Sequence, residues 1–289
     1  MLKTKLAQKV HEQLFTLDMN VYIVLDGASI PSLQRKLYEM QPPNVCLYRG
    51  ELTPDLAEVA PYLVRLERDS VFTQWVIEQG WGQHWGIFAV VDAEVDFNTL
   101  RKHFRTFLMV EGPNGKPIYF RYYDPRVLRI YLPTCNNEEL ATIFGPVHFY
   151  AMENRDASAL EMFQAGKEPE ESLATLKIRP EQYQNLIAYE WERLENECVT
   201  FVKDNWQEDF ASMGEQEVRS IVGRAIERAK QYGFEREHLI IRYVNVTFAL
   251  GPDFEHSADY PWAKQIFENP ELRADEKIEA VEDAVAKVI

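Results

Sequence analysis

The chain has 289 residues, 46% of them hydrophobic, which is enough to bury one large core or two smaller ones. Its formal net charge is -15 at pH 7, and its mean hydropathy is -0.34. No window approaches the roughly 20 apolar residues that cross a bilayer. The first residues alternate charged and apolar positions instead of forming an apolar signal segment. We therefore expect a folded, cytoplasmic protein.

The acidic residues are unevenly distributed along the chain. Residues 1–150 carry 15 Lys/Arg and 17 Asp/Glu, whereas residues 151–289 carry 16 and 29. An acidic surface repels phosphate backbones and anionic membranes, and no cluster of Lys/Arg with interleaved aromatic residues offsets it. We expect neither a nucleic-acid partner nor a membrane partner. Solubility explains the acidity more simply than a specific basic partner does.

The first half alternates strand-like and helix-like segments. Strands are predicted at 21–27, 45–50, 62–66, 85–91, 118–123 and 148–152, and helices at 30–40, 69–80, 96–110 and 124–132. Several of the strands are nearly continuous apolar runs, as is typical of buried strands. The alternation predicts an α/β N-terminal lobe over residues 1–153, with a mostly parallel sheet flanked by helices.

The second half has helical patterning. Apolar residues recur at spacings of three, four and seven in the predicted helices, which are 180–202, a helix that starts at a capping box of Ser212 and Glu215, 238–250, and 278–288. Gly233 and Gly251 stand at expected helix ends. The polar stretch 154–179 predicts a partly packed linker, and residues 180–289 predict an all-helical C-terminal lobe.

Three aspartates, Asp26, Asp92 and Asp124, directly follow predicted strands. Ligands of an open α/β sheet bind beyond the carboxyl ends of its strands, so these carboxylates suit a metal ion or a phosphorylated ligand. A Rossmann-like enzyme is therefore the alternative function. The simpler interpretation is structural, because Asp is a favoured N-cap residue and Pro125 a favoured first helical residue.

No other motif predicts a catalytic or metal site. The glycines of GWGQHWG, residues 80–86, lead from a helix into a strand, the reverse of a phosphate-binding turn. Cys46, Cys135 and Cys198 are far apart in sequence, and the six histidines show no metal-ligand spacing. The acidic loop at 253–259 indicates a polar connection between helices. We expect no cofactor, no metal and no catalytic residue.

The run FRYYDPRVL, residues 120–128, is long and unusual in composition. Together with GWGQHWGIFAVV before it and IFGPVHFYAMEN after it, this run resembles the adaptor, or effector-chaperone, family of bacterial type VI secretion, long labelled only as a domain of unknown function (DUF4123-like). The resemblance covers about residues 21–152. It rests on Trp81, Trp85, Gly86, Phe120, Arg121, Tyr123, Asp124, Pro125, Arg126, Val127, Leu128, Pro133, Phe144, Gly145 and Pro146.

The resemblance implies a non-catalytic protein that binds a toxic effector and helps to load it onto a spike of the VgrG/PAAR type. The segment from Asp124 to Arg126 is then expected to shape a strand-to-helix corner. Arg121 or Arg126 is available to pair with a buried carboxylate such as Asp26. An adaptor needs a rigid scaffold and binding faces, so we interpret these motif positions as structural before functional.

Overall fold

The computed structural model describes residues 4–16, 18–164 and 175–287. They form two compact units, an N-terminal unit that ends at Leu186 and a C-terminal unit that begins at Ile187. The strands are β1 (Asn20–Asp26), β2 (Asn44–Cys46), β3 (Pro61–Leu66), β4 (Gly86–Val91), β5 (Met109–Glu111), β6 (Pro117–Tyr119), β7 (Phe149–Glu153) and β8 (Leu160–Gln164).

The helices of the N-terminal unit are α1 (Lys5–Leu14), α2 (Leu33–Met40), α3 (Pro54–Val59), α4 (Val71–Gly80), α5 (Phe97–Thr106), α6 (Pro125–Tyr131) and α7 (Asn137–Phe144). The remaining helices are α8 (Pro180–Asn205), α9 (Gln207–Met213), α10 (Glu215–Gln231), α11 (Glu237–Leu250), α12 (Pro261–Phe267) and α13 (Ala274–Val285).

The main sheet is antiparallel, so the prediction of a mostly parallel sheet is wrong. Its six strands lie in the order β2-β3-β1-β4-β7-β8, and every neighbouring pair runs antiparallel. Residues 118–123 do not form a strand of this sheet either. Of them, only 118 and 119 are in a strand, β6, which pairs with β5 in a separate two-stranded sheet.

Burial on both faces of the sheet explains the wrong prediction. Along β1, Tyr22 and Val24 belong to one core cluster, whereas Val21, Ile23 and Leu25 belong to the other. Helices α1, α2 and α4 cover the second face, and α5, α6 and α7 cover the first. A continuous apolar run therefore reports that both faces are covered, which a parallel sheet requires but an antiparallel sheet also allows.

The C-terminal unit is helical over the residues that the structure describes, as predicted. Helix α11 packs against both α10 and α13, and its buried face includes Ile240, Tyr243 and Val244. The helix ends at Gly251, as expected. The predicted capping box is wrong, because Ser212 lies within α9 and Gly214, with φ 80°, is the N-cap of α10.

The stretch predicted to be a linker, 154–179, contains regular structure. Residues 160–164 form β8, the edge strand beside β7. Leu176 and Ile178 are buried in the core of the N-terminal unit. Residues 165–174 of that stretch, and Val288 of the last predicted helix, lie outside the described residues. Among the helices of the described ranges, none is both long and apolar enough to cross a membrane.

Two glycines test this architecture in opposite directions. A Cβ on Gly86 would lie 2.1 Å from the carbonyl oxygen of Val24 on the adjacent strand, whereas a Cβ on Gly223, within α10, would meet nothing within 4 Å. We expect Gly86→Ala to lower the free energy of unfolding by about 2–3 kcal/mol. We expect Gly223→Ala to raise it by about 0.5–1 kcal/mol. Urea denaturation measures both, and an unaffected Gly86→Ala protein would contradict the β1–β4 register.

Candidate functional site

The motif residues form an ion-pair network at one end of β1. Asp26, the last residue of β1, is 1% exposed, and its Oδ2 accepts a hydrogen bond of 2.5 Å from Arg121. The guanidinium of Arg121 also lies 3.9 Å from the carboxylate of Asp124. Arg121 is the partner that the sequence suggested for Asp26. Arg126, the other candidate, pairs with Asp124. We call Asp26, Arg121, Asp124 and Arg126 the arginine–aspartate network.

Asp124 has the predicted capping role. Its Oδ1 accepts the backbone N–H of Arg126 at 2.9 Å, and Pro125 is the first residue of α6. The Arg126 side chain folds back on the same carboxylate, with Nε 2.9 Å from Oδ1 and a terminal nitrogen 2.7 Å from Oδ2. The Asp124 carboxylate thus accepts hydrogen bonds both from the first turn of α6 and from the planar guanidinium of Arg126. The Asp-Pro-Arg segment therefore starts α6, and its arginine holds the capping carboxylate of Asp124 in position.

The third strand-end aspartate lies elsewhere. β1 and β4 are antiparallel neighbours in which Asn20 pairs with Val91 and Leu25 pairs with Gly86. Asp92, which follows β4, therefore lies at the end of the sheet opposite Asp26. Its side chain is 55% exposed and accepts a hydrogen bond of 2.7 Å from His148. The three aspartates do not meet, because adjacent antiparallel strands end at opposite edges of a sheet.

A chain of tyrosine hydroxyls joins the motif segment to the loop after β2. The hydroxyl of Tyr119 lies 2.9 Å from that of Tyr48 and 2.8 Å from that of Tyr123. Burial raises the pKa of Tyr123 to about 12, and burial also raises the pKa of Tyr119. The hydroxyls of Tyr119 and Tyr123 therefore stay protonated at neutral pH and act as hydrogen-bonding groups.

Three further motif residues, Trp85, Gly145 and Pro146, have packing roles in the N-terminal unit. The ring of Trp85 lies 4.8 Å from that of Trp75, and a Cβ on Gly80 would lie 2.6 Å from its indole. Gly145 has φ +45°, and a Cβ there would lie 2.6 Å from the imidazole of His103. Pro146, which follows it, is half-buried. Only glycine combines this backbone angle with this close approach.

An open groove of about 930 Å³ lies on the face of the sheet that carries α5. Its floor includes buried Leu47, Phe107 and Leu108, and Met109 and Tyr119 stand at its rim, 52% and 41% exposed. No Asp, Glu or Lys occurs among its described lining residues. These are Leu47, Tyr48, Arg49, Leu52, His103, Arg105, Thr106, Phe107, Leu108, Met109, Tyr119, Ala141, Thr142, Gly145, Thr175 and Leu176.

Arg105 holds one wall of the groove. Its guanidinium donates hydrogen bonds of 2.8–2.9 Å to the backbone carbonyls of Cys46, Leu47 and Tyr48. The pKa of Arg105 is lowered, first by burial and then by the positive charges of Arg101 and Arg49. The sequence prediction missed the groove, because it placed Met109 at a helix end and Tyr119 in a buried strand. The only available signal was the set of basic residues on the predicted helix 96–110.

The remaining acidic and histidine groups are engaged locally. Glu153, buried at the end of β7, contacts Nδ1 of His84 and accepts the backbone N–H of Gly82. Glu255, in the loop after α11, accepts hydrogen bonds of 2.8 Å from Arg228 and 2.7 Å from Tyr243. In the described ranges no three His, Cys, Asp or Glu side chains are grouped to hold a metal ion.

Comparison with protein families identifies the segment that contains this site. Residues 21–142 match the family model of DUF4123, a domain of unknown function. The DUF4123 match contains the whole arginine–aspartate network, the three tyrosines and most of the groove lining. It covers less than half of the chain and ends before α8. No curated protein and no solved structure matches the chain.

The capping role of Asp124 gives a stability prediction. Asp124→Ala removes the N-cap acceptor and the carboxylate that pairs with Arg126, and we expect a loss of about 2–3 kcal/mol in the free energy of unfolding. Asp124→Asn keeps an acceptor oxygen and should recover about 1 kcal/mol. The exposed Asp92→Ala is the matched control and should change stability by less than about 0.5 kcal/mol. A stable Asp124→Ala protein that had lost divalent-ion binding would instead favour a metal site.

The half-buried imidazole of His103, in the groove lining, gives a pH prediction. Burial lowers the pKa of His103 to about 4 from 6.5, so the unfolded chain binds a proton more readily between these values. The free energy of unfolding is therefore highest above the pKa that His103 has in the unfolded chain. It falls as the pH drops toward 4, by about 1.4 kcal/mol per pH unit. Compared with His103→Gln, the wild-type protein should lose about 2–3 kcal/mol more between about pH 7 and pH 4. Parallel stability curves in urea would show that His103 is not buried as a neutral group.

Proposed function

We propose that this protein is an adaptor of bacterial type VI secretion, a chaperone that binds a toxic effector in the cytoplasm and helps to load it onto a spike of the VgrG/PAAR type. The observation that carries the proposal is the open groove with an exposed apolar rim in the segment that matches DUF4123. Apolar side chains that stay exposed beside a concave surface are typical of binding sites for other proteins.

The arrangement of the motif residues supports a scaffold role. The arginine–aspartate network uses its carboxylates to neutralise arginines and to cap α6. The tyrosine chain fixes the segment that carries Tyr119 at the groove rim. These side chains therefore hold a surface in position. Binding without a chemical step is the function that such a rigid surface serves most directly.

The link to type VI secretion rests on the sequence motif. The description of DUF4123 names no function, and it is the run from Phe120 to Leu128 that resembles the adaptors. The uneven charge agrees with a protein that has two partners, since the acidic residues are concentrated after residue 150. A basic partner surface would be attracted to that part of the chain, and a different surface would bind the effector.

The alternative enzyme has less support. It requires Asp26, Asp92 and Asp124 around one ligand, whereas Asp92 lies at the opposite end of the sheet and Asp26 is already paired with Arg121. Binding of a divalent ion or a nucleotide by the purified protein at micromolar strength would restore that alternative.

Affinity capture of the tagged full-length protein from lysate of its own cells tests the proposal. We expect mass spectrometry to recover a toxin and a spike protein together, and expression of that toxin alone should be harmful to the cells. Capture with the tag alone is the control. Recovery of neither protein, from cells shown to express both, would contradict the adaptor function.

A further inference from the structure

The groove is a positively charged surface in a strongly acidic chain. Arg49 and Arg105 line it, and Arg101 stands one helical turn before Arg105 on the same face of α5. Arginines elsewhere in the N-terminal unit, such as Arg121 and Arg179, pair with carboxylates. Within the described ranges, no carboxylate lies within ion-pair distance of Arg49, Arg101 or Arg105.

Two further observations indicate that these arginines are set for an external anion. The Nε of Arg101 is buried and has no hydrogen-bond partner among the described residues. A buried donor without an acceptor is costly, and the charge of Arg101 adds to the positive potential at Arg105, one helical turn away. The pKa of Arg105 is lowered first by burial and then by the positive charges of Arg101 and Arg49, and an anion bound beside these arginines would offset their repulsion.

We propose that the groove docks an acidic amphipathic segment of the effector. Carboxylates of that segment pair with Arg49, the exposed arginine of the groove, beside the positive charge of Arg105, and its apolar side chains cover Met109 and Tyr119. This inference rests on the proposed function, because it takes the effector as the partner. It adds to that function which surface binds the effector and which chemistry the effector must present.

The apolar rim favours a polypeptide segment over a small anion. Phosphate or a small carboxylate would pair with the arginines but would leave Met109 and Tyr119 exposed to water. The described lining places apolar and aromatic side chains beside two arginines and lacks Lys, Asp and Glu, and depletion of these three charged residues is typical of protein interfaces.

The groove is also held in its binding shape. Arg105 ties the backbone of residues 46–48 to α5 through three hydrogen bonds, and this places Arg49 directly beyond the tied segment. Tyr119 is fixed between the hydroxyls of Tyr48 and Tyr123. Groups that are ordered before binding lose little conformational freedom when the partner arrives.

Arg49→Glu is the test variant, because the residue is exposed and contacts no other described side chain by a hydrogen bond or an ion pair that its loss would break. Arg35→Glu is the charge-matched control. Arg35 is exposed on α2, whose buried residues lie on the other face of the sheet, and its ion-pair partner among the described residues is Glu39 in the same helix. Met109→Ala tests the apolar rim. Circular dichroism and urea denaturation confirm that each full-length variant is folded.

The first measurement uses a defined probe, a fluorescein-labelled helical peptide with leucine along one face and glutamate along the other. We expect anisotropy to show binding that Arg49→Glu weakens about tenfold, that Met109→Ala weakens less, and that Arg35→Glu leaves unchanged. A copy with glutamine at each glutamate should bind more weakly than the acidic peptide. Absence of binding, or equal weakening by Arg35→Glu, would overturn the inference.

The same variants in the affinity capture separate this inference from the proposed function. We expect Arg49→Glu to lose the toxin and to keep the spike protein. Toxin recovery that is equal for all variants would leave the adaptor function intact and overturn the groove as its docking site. If the wild type recovers neither protein, the adaptor function is contradicted. The effector is then also ruled out as the occupant of the groove, even if the peptide binds.

Two other occupants have distinct signatures. A dimer by light scattering that Arg49→Glu dissociates would assign the groove to a second copy of this chain. If phosphate or citrate displaces the peptide equally from the wild type and from Met109→Ala, the apolar rim contributes nothing to binding. That result would assign the groove to a small anion. Either result would overturn the docking of an effector segment.

Discussion

The buried carboxylate of Asp26 is the constraint on which the N-terminal unit depends. β1 is central in the sheet, between β3 and β4, and Asp26 ends it in a position that is 1% exposed. An unpaired carboxylate at such a depth costs several kcal/mol. The Asp26 carboxylate accepts hydrogen bonds from the hydroxyl of Ser29, the backbone N–H of Ala28 and the guanidinium of Arg121, which offset this cost. The last of these ties the central strand to a segment 95 residues further along the chain.

That single tie orders the motif segment around it. Arg121 is fixed by Asp26, Asp124 begins α6 two residues after Tyr122 enters the core, and Tyr123 meets the hydroxyl of Tyr119. The side chain of Arg121 stays 43% exposed although its partner is buried. The arrangement therefore avoids the desolvation of two charges, which would cancel much of the attraction in a fully buried pair.

The groove is positively charged, whereas the chain as a whole is negatively charged. The net charge of -15 lowers the concentration of acidic partners around the chain as a whole, whereas the positive groove would attract an acidic segment that also fits its apolar rim. Selectivity then arises from the combination of repulsion and attraction. The proposed docking of an acidic amphipathic segment uses both, and the rigid backbone around Arg105 keeps the positive charges at fixed positions.

The sequence by itself determined the local structure. Asp124 and Pro125 specified a helix start, Gly251 a helix end, and the apolar spacings of α10 and α11 the helical C-terminal unit, because these signals depend on residues within a few positions of one another. It also determined that the central strands β1, β3, β4 and β7 are buried, since their sequences are mostly apolar.

Only the tertiary structure decided which residues meet. The direction of each strand depends on where its connection returns to the sheet, and an apolar run is compatible with both directions, so the sequence placed Asp92 beside Asp26 when the two are at opposite ends. The groove was hidden for the same reason. Arg49, Arg105 and Tyr119 come from three separate segments, and their shared surface exists only when the sheet brings those segments together.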